Sequence, residues 1–134
     1  MKHLILISHG FFAKELKKSA EMILGPQEQI HTVSLLPDEG QVEFAEKFDD
    51  LVNSLEGEII VLADLLGGTP CNVVSKKIIK GNDFKLYSGM NLPMIISYVN
   101  SSIVGGETEL VNDGHQGIKD VNQLLAPSSN SEDE

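Results

Sequence analysis

Four times along this chain a short apolar run gives way to a stretch with helical spacing, and that alternation limits the folds open to it. His3-Leu4-Ile5-Leu6-Ile7-Ser8 is continuously apolar through its middle, the pattern of a strand buried on both faces. Residues 12–24 then place Phe12, Leu16, Ala20, Ile23 and Leu24 on one helical face, and Gly25-Pro26 stops the helix. Gln29 to Leu35 alternates and is rich in β-branched residues, Pro37 to Gly40 is a turn, and residues 41–55 regain helical spacing through Val42, Ala45, Phe48, Val52 and Leu55. Glu58 to Ala63 is a third strand. Thr69 and Pro70 then read as the N-cap and first residue of a helix that runs to about Lys80. Residues 84–88 form a fourth strand, and Asn91 or Leu92 opens the next helix.

Four strand-then-helix units imply an α/β fold: a doubly wound, mainly parallel four-stranded sheet with helices on both faces. Beyond residue 105 the pattern thins. Glu107 to Asn112 reads as helix, broken by Gly114 and Gly117. Ile118, Val121, Leu124 and Leu125 have helical spacing, yet the segment is short enough to leave open an extra C-terminal edge strand. Residues 1–125 are expected to form one domain and 126–134 an acidic, disordered tail.

Composition narrows the class of partner. Ten Lys and Arg face 20 Asp and Glu, a formal net charge of -10 that repels nucleic-acid backbones and anionic lipid surfaces. The single Cys71 rules out an internal disulfide, no metal-type Cys/His spacing occurs, and the apolar run at the start is too short for a signal or membrane segment. A cytoplasmic protein without metal or cofactor is expected.

In doubly wound sheets chemistry gathers at the carboxyl ends of the strands, near the point where strand order reverses. His9 ends the first strand, and Gly10 after it lets the backbone turn away from the ring. Asp64 ends the third. If those strands are neighbours, the carboxylate can accept from Nδ1–H and leave Nε2 as an outward nucleophile. Gly67-Gly68-Thr69 then leads into a helix whose first N–H groups suit a phosphate. His3, His31 and His115 read as structural or solvated, Cys71 as a packed side chain that could respond to oxidation, and Met90 and Met94 as gap-fillers near the site.

Three motifs in order carry a family resemblance: Ile7-Ser8-His9-Gly10, Asp64-Leu65-Leu66-Gly67-Gly68-Thr69-Pro70-Cys71-Asn72, and Ser88-Gly89-Met90-Asn91-Leu92-Pro93-Met94. Over roughly residues 3–125 the chain resembles the IIA component of mannose-family bacterial phosphotransferase systems (PTS). Leu36-Pro37-Asp38-Glu39-Gly40 is similar to that family's Pro-Gly-Glu turn, with Asp where Gly is usual, and Thr69 stands where Ser is frequent. The resemblance implies a transferase carrying phosphohistidine on His9 with Asp64 as the orienting carboxylate. HPr would be the donor, a IIB component the acceptor, and the membrane IIC and IID components indirect partners. It also implies a homodimer exchanging a C-terminal edge strand, which needs 118–125 extended, and a free-standing IIA protein. Phe11 and Asn91 are expected partner contacts, with Phe12 in the core. The nearest rival is the phosphotransfer subunit of a PTS-dependent dihydroxyacetone kinase. A response-regulator receiver lacks its acidic pair after the first strand, and no Gly-x-Gly-x-x-Gly or Gly-Lys-Thr loop supports a nucleotide or flavin binder.

Overall fold

Strands β1 (Lys2–His9), β2 (Ile30–Leu35), β3 (Glu58–Ala63) and β4 (Lys85–Ser88) pair in parallel in the order β2-β1-β3-β4. They belong to a computed structural model that describes residues 2–106 and 108–127. Because β1 and β3 are neighbours, the chain leaves β1 toward one edge and returns past it to build the other. The reversal of strand order therefore lies between the carboxyl ends of those two strands. Register carries the two ends to nearly the same height: Ile7 sits beside Ala63, and the Asp64 N–H donates to the Ile7 carbonyl at 3.2 Å.

The helices are α1 (Phe12–Leu24), α2 (Gln41–Asn53), α3 (Thr69–Ile79), α4 (Leu92–Val104), α5 (Leu110–Gln116) and α6 (Val121–Leu125). The period of two along a strand divides the core between them. Leu4, Leu6, Ile60 and Leu62 face α1 and α4, meeting Ala13, Ala20, Ile95 and Val99. Ile5, Ile7, Val61 and Ala63 face α2 and α3, meeting Phe44, Phe48, Cys71 and Val74. Leu4 to Ile7 are fully buried, and each such side chain contributes about 1.5–3 kcal/mol of hydrophobic free energy. Phe48 also meets Phe84 edge-on at 5.5 Å, an arrangement that aligns the positive ring edge with a π face. No helix among the described residues is long and apolar enough to cross a membrane.

Several expectations shift. The cap of α3 moves one residue back, with Gly68 at N-cap, Thr69 as the first helical residue and Pro70 second. Phe12 is half-exposed, because Ala13 and Ala20 are the residues of α1 that reach the sheet. Phe44 takes the buried place expected for Val42. Gly114 does not break α5 but lies within it: a Cβ there would meet Met94 Cγ at 2.8 Å, so its missing side chain lets α5 lie directly on α4. The start expected at Glu107 lies outside the described residues. Val121–Leu125 is a short helix capped by Asp120, which accepts from the Gln123 N–H; the extra edge strand is not formed, and the sheet of the described residues has four strands. Of the expected acidic tail, 128–134 lie outside the described residues.

Gly117→Ala should destabilise the α4–α5 contact. Its φ of -78 suits alanine, yet the new Cβ would lie 2.6 Å from Pro93 Cβ and closer still to Cγ, on a ring that cannot rotate away. Overpacking of about 1–3 kcal/mol outweighs the ~0.4–1 kcal/mol gained from a stiffer unfolded chain. A lower urea midpoint is expected, and an unchanged or higher one would contradict the packing.

A second expectation concerns pH. His3 Nδ1 and His31 Nε2 lie 3.1 Å apart, so one ring donates and the other accepts. Burial holds His31 below its ordinary value of 6.5, with repulsion from His3 and Lys17 adding to the effect. The unfolded chain therefore binds more protons here as pH falls below about 6.5, and stability declines with it. Glu39 is held below its ordinary value by Lys47, so its own contribution is lost only in a more acid range. Urea midpoints between ~pH 7.5 and ~pH 5.5 should fall in the wild type and flatten in His31→Gln.

Candidate functional site

His9 closes β1 on the one residue of that strand's carboxyl end left exposed, after Leu4 to Ser8 have all been buried. Gly10, at φ +56, turns the chain away immediately, and its N–H donates to the Leu35 carbonyl at 2.7 Å. Ser8 ties this turn to α1. Its buried hydroxyl accepts from the Ala13 N–H at 2.8 Å and donates to the Gly10 carbonyl at 3.3 Å, supplying the cap that Phe11 cannot.

Asp64, just beyond β3, reaches across to His9. Its Oδ2 accepts from the His9 ring at Nδ1 (2.8 Å) and from the His9 backbone N–H (2.9 Å). Oδ1 accepts from the Leu65 N–H at 2.9 Å. The carboxylate side chain is only 12% exposed while the imidazole is 48% exposed. A carboxylate on Nδ1 selects the tautomer with its proton there, so Nε2 carries a free lone pair on the solvent side.

The Nε2 edge of the ring lies against Gly68. A Cβ added to Gly68 would be 2.6 Å from His9 Cε1 and 3.2 Å from Nε2, so only glycine lets the loop come this close. Gly67, at φ +90, makes the turn that brings it there, and its carbonyl accepts from the Asn72 side-chain amide at 3.2 Å. Among the described residues the N–H groups of Gly68, Thr69 and Cys71 have no acceptor, leaving the amino end of α3 free to bind an anion beside Nε2. The site thus holds a nitrogen with a free lone pair, a carboxylate that offsets positive charge developing on the ring, and a cradle for oxyanions.

Of the residues singled out in the sequence, the structure brings together His9, Asp64, Gly67 and Gly68, with Thr69 as the half-buried first residue of α3. Phe11 is exposed two residues after His9. Asn91 is occupied within the chain: its Oδ1 caps α4 by accepting from the Met94 N–H, and its amide donates to the Gly114 carbonyl. Cys71, Met90 and Met94 are buried core residues. The capping role of Ser8 and the exposure of Leu65 and Leu66 have no counterpart in the sequence reading. An apolar pair in a loop reads as core, and a serine five residues ahead of the N–H it caps has no local signature. No group of three or more His, Cys, Asp or Glu side chains able to hold a metal occurs among the described residues.

The family model for the "PTS system fructose IIA component", EIIA-man, matches residues 3–113. The chain belongs to this family. EIIA-man relatives include the mannose-specific EIIAB component of Escherichia coli K12, 30% identical over 95 residues; the match covers 69% of this chain and 29% of that relative, so the chain spans under a third of its length. The sorbose-specific EIIA component of Lacticaseibacillus casei is 30% identical over 97 residues, covering 69% and 68% of the two chains. Among solved structures, the PTS IIA protein associated with the fucose utilization operon of Streptococcus pneumoniae superposes with a TM-score of 0.82 at 29% identity, over 93% of this chain and 96% of that one.

Gly68→Ala should push the ring off Asp64 while leaving the fold intact, since the conflict is with a side chain at the surface. A change in the His9 ring nitrogen shifts by NMR, with an unaltered urea midpoint, is expected; unchanged ring signals would contradict the contact.

Proposed function

We propose that this EIIA-man protein is a cytoplasmic phosphocarrier of a sugar phosphotransferase system, accepting a phosphoryl group from HPr on His9 Nε2 and donating it to a IIB component. The observation that carries this reading is the 2.8 Å contact from Asp64 Oδ2 to His9 Nδ1, which leaves Nε2 outward beside the amino end of α3. In the forward step the Nε2–P bond forms as the P–N bond of the donor breaks. The donor ring keeps that electron pair, and the His9 proton stays on Nδ1, hydrogen-bonded to Asp64 Oδ2. The phosphoryl oxygens meet the N–H groups of Gly68, Thr69 and Cys71, with the Thr69 hydroxyl as a further donor. Transfer onward reverses these bonds with the acceptor side chain as nucleophile.

The rest of the reading follows the family. Residues 1–125 act as one IIA unit that pairs as a homodimer, and the membrane IIC and IID components are reached only through IIB. Phe11 and Asn91 contribute to partner contact, Asn91 chiefly by fixing the start of α4. The net charge of -10 supports protein partners and not nucleic acid. The sugar names carried by the relatives support the transport branch over the dihydroxyacetone kinase subunit.

Incubation with phosphoenolpyruvate, enzyme I and HPr should label the protein with an acid-labile, base-stable phosphate that mass mapping places on His9. His9→Ala should abolish the label. Asp64→Asn should slow transfer on the order of 100-fold, through loss of the charge that offsets the ring. Full labelling of His9→Ala would overturn the assignment.

A further inference from the structure

Asn72 is tied twice to the loop that meets the His9 ring. Its backbone N–H donates to the Gly68 carbonyl at 2.9 Å, the first rung of α3. Its side-chain amide donates to the Gly67 carbonyl at 3.2 Å, a bond that lies outside the helix ladder. Helix stability does not call for this side chain. Asn72 is exposed within the first turns of α3, where alanine is the better helix former.

The side-chain bond fixes the peptide between Gly67 and Gly68. That peptide is trans, so its C=O and N–H point to opposite sides. Turning the Gly67 carbonyl toward Asn72 therefore sets the direction of the Gly68 N–H, which has no acceptor among the described residues. Gly68 is the residue whose Cβ would lie 3.2 Å from His9 Nε2, so the peptide stands beside the reactive nitrogen. Both of its flanking residues are glycine, and no side chain of theirs opposes a flip. Gly67 already sits at φ +90, and a flip would carry Gly68 from φ -84 to a positive value that glycine adopts freely. It would also put a carbonyl oxygen where the N–H now stands.

We propose that Asn72 is a positioning residue: its amide latches the Gly67–Gly68 peptide with the N–H, not the carbonyl, presented to the phosphoryl group on His9. This rests on the phosphocarrier reading above. Glycine is needed at 67 for the turn and at 68 for the approach to the ring. The freedom that brings the loop to the ring therefore leaves its peptide free to rotate, and the restraint has to come from outside the loop. Asn72 supplies it from the rigid start of α3. Phosphoryl oxygens are negative throughout transfer, so an N–H aimed at them stabilises the group and a carbonyl repels it. Asn72 touches neither the ring nor the phosphorus in this role, and acts only through the orientation of one dipole.

The test compares the full chain with Asn72→Ala and Asn72→Asp. Each is labelled from phospho-HPr at varied concentration and from phosphoramidate, a small donor whose ammonia leaves as the Nε2–P bond forms. Asn72→Ala should lower kcat about tenfold with both donors, less than the loss of a donor outright because the N–H remains but is no longer held. KM for phospho-HPr should stay within about twofold. Asn72→Asp keeps the shape without a proton to donate and should be at least as slow. The urea midpoint of Asn72→Ala should hold or rise, since alanine favours the helix. By NMR, inorganic phosphate should shift the Gly68 amide signal of the wild type and shift that of Asn72→Ala far less. Wild-type rates in Asn72→Ala would overturn the proposal, as would wild-type rates in Asn72→Asp, which would make shape the cause. So would a lower urea midpoint in Asn72→Ala, which would make the role structural, or a wild-type Gly68 signal indifferent to phosphate. A wild type labelled on His9 by phosphoramidate but never by phospho-HPr would instead end the phosphocarrier reading, while the phosphoramidate rates and the Gly68 signal would still decide the role of Asn72.

Discussion

The site depends on one carboxylate that spends both oxygens on joining two strand ends. Asp64 Oδ2 takes the ring and the backbone of His9, and Oδ1 takes the backbone of Leu65. These contacts convert the parallel register of β1 and β3 into a defined ring orientation. A histidine on a free loop would sample several rotamers and both tautomers. Here the tautomer follows from the acceptor at Nδ1, and the rotamer follows from Gly68 lying against the opposite edge. The near-burial of Asp64 beneath a half-exposed imidazole strengthens the arrangement, since water competes less well for the carboxylate than for the ring.

Much of this was legible because it follows from period and punctuation. A run such as Leu4 to Ile7 has no polar side to present, so it fits only a strand covered on both faces. Once four such strands alternate with helices, the carboxyl ends of the first and third become the place to look. His9 and Asp64 are short-range consequences of that topology. What escaped depended on contacts between elements distant in sequence. Helical spacing cannot decide which of two neighbouring residues at a helix start faces the sheet, and Ala13 displaced Phe12 because a small side chain lets α1 pack closely. Gly114 reads as a breaker until Met94 occupies the space its side chain would need. The N-cap falls on Gly68 and not Thr69, at a position where a Cβ would meet the His9 ring, a contact invisible to local capping rules.

The C-terminal part obeys a different logic from the sheet. α5 is fastened to α4 by the absence of side chains at Gly114 and by hydrogen bonds, with Ser97 donating to Asp113 and Asn91 to the Gly114 carbonyl. α6 buries none of its residues, and Val121, Leu124 and Leu125 are all exposed. Helical spacing there favoured the conformation found for Val121–Leu125 but left a strand open, and it said nothing about burial. A periodic apolar stripe records what a segment is able to cover, and the monomer leaves this one uncovered.

His9 stands on the central pair of strands, where each strand is hydrogen-bonded on both sides and its apolar residues are packed against helices above and below. Such strands open only with the whole molecule. His9 Nε2 is therefore mounted on the stiffest part of the chain, and in the proposed phosphocarrier role adjustment between one partner and the next would fall to side-chain rotamers at the loop crests or to the partners themselves. An anvil of this kind transfers its load without changing shape.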